Sequence, residues 1–276
     1  HLMRCLTLAY ELKKNNIGGN IYFISRCHEG NINKIIIKNH FRFIELPFLD
    51  KIEFNEDISL YGESWLGTTQ VQDAADFLNV VNGIKIDLLI IDHYGIDKKW
   101  EDIVRPHANR IMVIDDLANR SHNCDFLLDQ NYYNQFEKRY DLLVPNDCKL
   151  FLGPKYVLLR DEFIIKKNVF KNKNEKRILI FFGAIDQHNL SLKTLEAIYL
   201  NNEKTYIVDL VIGEKNPHKE LIMDYVNQHK NLNLHVQIDN LSKIMSKAMI
   251  FIGAGGSVIW ESFYLGIPSF IISFAE

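Results

Sequence analysis

The chain of 276 residues is 47% hydrophobic and 24% charged, with 14 Gly and 6 Pro, which excludes collagen-like and low-complexity disordered classes. Lys plus Arg number 32 against 35 Asp plus Glu, a net charge of −3, so no overall basic field exists to hold nucleic acid or an acidic membrane surface. The four cysteines at 5, 27, 124 and 148 contain no Cys-x-x-Cys pair, and no apolar run approaches the roughly 20 residues of a membrane span, so a cytoplasmic protein is expected.

In chain order, the sequence opens on His1 rather than Met and is already in helical period at Leu2, Leu6 and Ala9, with no capping residue ahead. This reads as a fragment whose start is missing. His1 and Arg4 lie at that helix start; a lone His there is ordinarily a cap or a solvated side chain, and catalysis is the lesser reading on spacing alone. Strands are predicted at 21–25, 42–46, 86–92, 110–115 and 125–130, short β-rich runs with no period-two alternation, as strands buried on both faces require. Before the third of them, Thr69 and Gln72 form a capping box ahead of Val71, Ala74, Leu78 and Val81 at helical spacing. The third strand closes on Asp92, His93, Tyr94 and Gly95. Three polar side chains at the carboxyl edge of a core strand are costly unless hydrogen-bonded, so they form either a structural network or a substrate contact.

The Lys- and Asn-rich run at 166–177 breaks hydrophobic period and sets a domain boundary near 166, giving an N-terminal domain over 1–165 and a C-terminal one over 166–276. Strands follow at 177–183, 206–213, 232–237, 248–253 and 269–273, separated by helices near 189–200, 218–228, 241–247 and 258–265. The expected architecture is α/β: two Rossmann-like, doubly wound parallel sheets. After the first of these strands, Gly183, Asp186, His188 and Asn189 stand at a strand-to-helix turn, with Asn189 placed to cap the next helix and Asp186 either a turn residue or a ligand contact. After the fourth, Gly253, Ala254, Gly255, Gly256 and Ser257 open the last helix. Glycines there either serve a tight turn or let backbone amides approach a phosphate, with Ser257 as a cap. Glu261, four residues on, is either a carboxylate near the positive helix end or an acceptor for a ribose diol. Asp-x-Asp, spaced His pairs, Gly-x-x-x-x-Gly-Lys-Ser/Thr, Gly-x-Gly-x-x-Gly and Gly-x-Ser-x-Gly are all missing, which weighs against a catalytic metal, an ATPase, a dinucleotide enzyme and a nucleophile-elbow hydrolase.

The strings at 1–9 (HLMRCLTLA), 61–74 (YGESWLGTTQVQDA), 87–97 (DLLIIDHYGID), 114–131 (IDDLANRSHNCDFLLDQN), 151–163 (FLGPKYVLLRDEF) and 252–269 (IGAGGSVIWESFYLGIPS) together resemble the UDP-2,4-diacetamido-2,4,6-trideoxy-β-L-altropyranose hydrolases of pseudaminic acid biosynthesis. The resemblance implies two Rossmann-like domains facing a cleft in the glycosyltransferase-B manner. It further implies metal-independent, inverting hydrolysis of a UDP-sugar, with no cofactor and a small-molecule substrate as the partner. It carries the catalytic base onto His1 and a sugar-side site residue onto Tyr94. Arg4, Asp92, His93, Gly183, Asp186 and Asn189 become expected substrate contacts, the glycines and Ser257 diphosphate contacts, and Glu261 the ribose-binding acid. Two departures stand out. Where such proteins commonly read Gly-Gly-x-Asp-Pro, this chain has Gly183, Ala184, Ile185, Asp186 and Gln187, and the family usually continues with Asn-Gln past Glu276. An inverting UDP-sugar glycosyltransferase of the same fold, and a nucleotide-sugar binding protein without turnover, are the alternatives.

Overall fold

The computed structural model describes residues 1–17, 19–26, 33–47, 63–164, 175–200 and 206–273; Cys27, Tyr61, Gly62, residues 166–174 of the Lys/Asn-rich run and Glu276 lie outside the described residues. The chain divides into two compact units, His1–Leu158 and Leu159–Glu276. This division precedes the seam expected near 166, because Phe163 is wholly buried beside Leu179, Val211 and Phe251, and Arg160 is ion-paired with Glu261.

In the first unit, α1 (Leu2–Lys14) and α2 (Lys34–Lys38) pack on a parallel pair, β1 (Tyr22–Arg26) and β2 (Arg42–Leu46), through Leu6, Ala9, Ile36 and Phe41. A short α3 (Glu63–Leu66) turns at Gly67 into α4 (Gln70–Val80). The Thr69 hydroxyl accepts the Gln72 N–H at 3.2 Å, as the capping box predicts, but the Gln72 amide turns to Asp76 instead of returning to Thr69. A four-stranded parallel sheet follows in the order β3 (Leu89–Ile91), β4 (Ile111–Ile114), β5 (Phe126–Asp129) and β6 (Lys149–Leu152). Between β3 and β4, α5 (Lys98–Val104) starts on Asp97, whose carboxylate accepts the Lys99 N–H. Ile91, Ile111, Val113 and Leu127 bury one sheet face against Phe77, Trp100 and Val104. Strand β6 and helix α5 were not legible in the sequence, since each is short and partly solvated.

The second unit starts with α6 (Asp161–Ile164) and holds a five-stranded parallel sheet. Its strands in chain order are β7 (Arg177–Phe181), β8 (Ile207–Ile212), β9 (Leu232–Val236), β10 (Ile250–Ala254) and β11 (Ser269–Ile272). The helices between them are α7 (Leu190–Leu200), α8 (Lys219–Asn227), α9 (Ser242–Met245) and α10 (Ser257–Tyr264). The spatial order β11-β10-β7-β8-β9 places the first strand in the middle. Ile178 and Ile180 face one core with Leu195 and Ile222, and Leu179 between them faces the other with Met245 and Phe251, so the middle of the sheet is buried on both faces as its unbroken apolar runs predict, whereas Phe270, Ile271 and Ile272 of the edge strand β11 are exposed. Among the described residues no helix is long and apolar enough to cross a membrane.

Candidate active site

In parallel sheets the carboxyl ends of the strands carry ligand-binding residues. In the first unit these ends hold a charged cluster. Asp92 follows β3, with its side chain 3% exposed; Asp116 follows β4. Arg4, one turn into α1, lies between them. Its Nε and Nη2 donate to the two Asp92 oxygens at 2.7 and 2.6 Å, and its Nη1 donates to both Asp116 oxygens at 2.8 and 2.9 Å. Burial alone would depress the Arg4 pKa, but the hydrogen bonds and charges of Asp92 and Asp116 hold it above the ordinary value, so the guanidinium stays charged.

His1 completes the cluster. Its Nδ1 is paired with Asp92 Oδ1, with Arg4 Nη2 3.4 Å from the same nitrogen; in a neutral imidazole that donates to this carboxylate, Nδ1 carries the proton and Nε2 the lone pair. The imidazole is 41% exposed and meets the Tyr94 ring edge-on at 4.5 Å. The Tyr94 hydroxyl donates to Asp116 Oδ2 at 2.6 Å; burial first, then Asp116, raises its pKa, so the phenol is a fixed neutral donor. The Cys5 thiol donates to Asp92 Oδ2 at 3.3 Å, and burial followed by the Asp92 charge pushes its pKa up, away from nucleophilic use. The His93 ring accepts the Gly95 N–H at 3.0 Å, shaping the turn after β3. The fold brings the expected site residues His1, Arg4, Asp92 and Tyr94 together; Arg4 spends its hydrogen bonds on Asp92 and Asp116, and Asp92 accepts from Arg4, Cys5 and His1.

In the second unit, β10 and β7 are neighbours, with Gly253 in register with Phe181, so the loops after these two strands emerge side by side where strand order reverses. The glycines of the second loop divide by role. A Cβ on Gly253 would lie 2.4 Å from the Phe181 carbonyl, so this residue is glycine for strand packing, inside β10. Ala254, also in β10, is 6% exposed. Gly256 has φ +124°, a conformation that L side chains rarely adopt. Gly255 has neither constraint: a Cβ there meets nothing within 4 Å. Gly256, with no side-chain hydrogen bond, is the N-cap of α10, and Ser257 is the first helical residue; the expected Ser257 cap is not formed.

Asp186, at φ +44° and 8% exposed, caps α7 by accepting the Leu190 and Ser191 N–H groups at 2.9 and 2.8 Å. The expectation that Asn189 caps this helix is corrected: Asn189 occupies a left-handed turn at φ +51° and its Oδ1 is buried without a hydrogen-bond partner. Gly183, at φ +90°, begins the same turn. Glu261, 2% exposed, is gripped by Arg160 through Nε–Oε1 at 2.7 Å and Nη2–Oε2 at 2.9 Å; burial raises its pKa against the opposing pull of Arg160. Each carboxylate oxygen keeps a second lone pair. Among the described residues no three His, Cys, Asp or Glu side chains are grouped to hold a metal ion.

Sequence reasoning missed Asp116 and Arg160, although both stand in the strings that carry the family resemblance. The available signal for Asp116 was a doubled acid directly after a predicted strand; the structure separates the pair. Asp115, 0% exposed, binds Arg120, Tyr140 and the Ala118 N–H, while Asp116 turns to the cluster.

The chain matches no sequence-family model. It is 28% identical over 281 aligned residues to an uncharacterized protein of Methanocaldococcus jannaschii, covering 99% of this chain and 52% of that one. It is 30% identical over 193 residues to the UDP-2,4-diacetamido-2,4,6-trideoxy-beta-L-altropyranose hydrolase of Campylobacter jejuni, covering 69% of this chain and 67% of the hydrolase. A spore coat polysaccharide biosynthesis protein of Bacillus subtilis is 22% identical over 222 residues, 79% of this chain and 65% of that protein. The chain therefore spans about half to two thirds of the length of these relatives. Among solved structures, Arabidopsis thaliana UGT89C1 aligns with a TM-score of 0.62 at 9% identity, over 100% of this chain and 77% of that one. The UDP-GlcNAc 2-epimerase of Neisseria meningitidis, bound to UDP-GlcNAc, aligns at 0.53 and 16% identity over 96% and 77%. These likenesses show the fold, two parallel-sheet α/β units of the glycosyltransferase-B type.

Proposed function

This chain belongs to the family of the Campylobacter jejuni hydrolase, and from that premise we propose that it hydrolyses a UDP-linked diacetamido-trideoxy sugar in glycan biosynthesis. The observation that carries this reading is the pairing of His1 with Asp92, which leaves Nε2 free to take a proton. In the proposed reaction the water oxygen bonds to the anomeric carbon on the face opposite UDP, the C1–O bond to the β-phosphate breaks with its electron pair leaving on UDP, and the water proton passes to His1 Nε2. Asp92 holds the ring in this tautomer and stabilises the imidazolium, while Arg4 and Asp116 hold Asp92 and Tyr94 in place. The departing diphosphate is already close to its ionised form and needs charge stabilisation more than a proton. The opening N–H groups of α10 and the unconstrained Gly255 suit that task, with no metal in the step.

Two results test the reading. Incubation with the UDP-diacetamido sugar in ¹⁸O water is expected to release UDP and to place the label on the free sugar, unchanged by EDTA. UDP release only after an acceptor alcohol is added would make the protein a transferase, binding with no release a nucleotide-sugar binding module, and loss of activity in EDTA restored by magnesium would overturn the metal-free step. Second, Gly255→Ala is expected to hold or slightly raise stability, since a compatible Gly→Ala change contributes about 0.4–1 kcal/mol, yet to weaken UDP by roughly tenfold by blocking close approach. Unchanged UDP affinity by calorimetry removes this loop from the diphosphate site.

A further inference from the structure

The proposed function uses the charged centre of the first unit and leaves its aromatic rim unexplained. Trp65, on α3, is 47% exposed, whereas Trp100 is 3% exposed in the core. Its position is set by its neighbours: Leu66 beside it is buried at 4% in the main core of the unit, and Gly67 at φ +74° turns the chain directly into α4. The indole ring lies 5.6 Å from the Tyr94 ring at a tilt of 49°, and Tyr94 in turn touches His1. The Tyr133 hydroxyl donates to the Asp116 carbonyl at 3.4 Å. The ring of Tyr133, 40% exposed, lies under the Arg139 guanidinium at 3.5 Å, and Arg139 itself donates to the same Asp116 carbonyl at 2.8 Å. Trp65 and Tyr133, both exposed, and the half-buried Tyr94 thus present aromatic surface next to Asp116 and His1.

A half-exposed indole leaves apolar area in water that a ligand would remove. Its π-face suits C–H groups and methyls, and offers a hydroxyl nothing in exchange for its water. From this juxtaposition we propose that Trp65 is a specificity-determining residue whose indole receives the apolar side of the sugar, selecting sugars in which hydroxyls are replaced by acetamido methyls and a C6 methyl over fully hydroxylated hexoses. This rests on the UDP-sugar reading of the same site. Trp65 meets the centre through the ring of Tyr94, so its contribution is assigned to sugar binding and not to proton transfer.

The test compares Trp65→Ala and Trp65→Phe with the unaltered chain. With the UDP-diacetamido sugar, Trp65→Ala is expected to raise KM by roughly 3- to 10-fold, the range for one aromatic contact, with kcat within about twofold, and Trp65→Phe to restore most of the loss. UDP alone should bind all three equally by calorimetry, and circular dichroism melting should show the alanine variant folded. The preference for the UDP-diacetamido sugar over UDP-glucose should shrink by the same factor. An unchanged KM and unchanged preference in Trp65→Ala overturn this inference while leaving the hydrolase reading intact. If the unaltered chain turns over no UDP-sugar, the hydrolase reading fails, and calorimetry still decides the inference: it stands if the gain in affinity from UDP to the UDP-diacetamido sugar disappears in Trp65→Ala, and falls if that gain is kept.

Discussion

Replacing His1 with asparagine should lower turnover of the UDP-diacetamido sugar by about 10²- to 10⁴-fold, the usual contribution of a general base, while leaving UDP affinity nearly unchanged. Asparagine keeps a donor for the Asp92 carboxylate, so the frame of Asp92, Arg4 and Asp116 stays hydrogen-bonded and only the lone pair that accepts the water proton is removed. Asp92→Asn should share part of the loss, because its amide no longer fixes the His1 tautomer or stabilises the imidazolium. Both rates and both UDP affinities need measurement in the same preparations. Near-normal turnover of His1→Asn would show that another group activates water. Tyr94 is a poor replacement, since its hydroxyl is committed as a donor to Asp116 and its raised pKa keeps it protonated. Loss of UDP binding together with turnover would remove the catalytic assignment.

The second large effect concerns stability. Arg4→Met should cost about 3–5 kcal/mol, the range for removing one partner of a buried ion pair, because Asp92 at 3% exposure and Asp116 at 18% would face each other without the cation. For a unit of this size that corresponds to a fall in melting temperature of roughly 6–20 °C. The hydrogen bonds that Asp92 keeps from His1 and Cys5, and that Asp116 keeps from Tyr94, place the expected value at the lower end. Adding Asp92→Asn and Asp116→Asn to the methionine variant should recover much of the loss by removing both uncompensated charges. A melting temperature unchanged in Arg4→Met would mean that the two carboxylates are already neutralised by water or protons, and the role of Arg4 as the centre of the frame would fall.

The two ion-pair systems differ in what they ask of the chain. In the first unit two carboxylates share one guanidinium, leaving negative charge to hold an imidazolium. In the second, Arg160 is bidentate on Glu261 and also meets Glu162 at 2.7 Å, which fixes the segment entering α6 to the helix that follows the glycine loop. The glycine loop is therefore backed by a part-buried ion pair inside its own unit, and its conformation does not depend on the loop residues alone.

The amino-acid sequence by itself determined which segments are strands and where they are buried. Unbroken apolar runs such as 177–183 and 206–213 demand cover on both faces, and period, caps and glycine turns place helices between them. It also determined that polar residues cluster after strands, since each such position is local: Asp92 to Gly95 after β3, the glycines after β10. It did not reveal β6, whose four residues are partly solvated, or α5, a helix of only seven residues. Nor did it divide the glycine loop into Gly253 for packing, Gly256 for the turn and Gly255 under neither constraint, because that division depends on a neighbouring strand and on φ. Only the tertiary structure decided which polar residues meet. Arg4 lies 88 residues from Asp92 and 112 from Asp116, and Arg160 lies 101 from Glu261. The physical reason is that hydrophobic pattern encodes which face of a strand is buried, whereas the order of strands in a parallel sheet decides whose carboxyl ends become neighbours, and that order is fixed by the packing of all the crossover helices together.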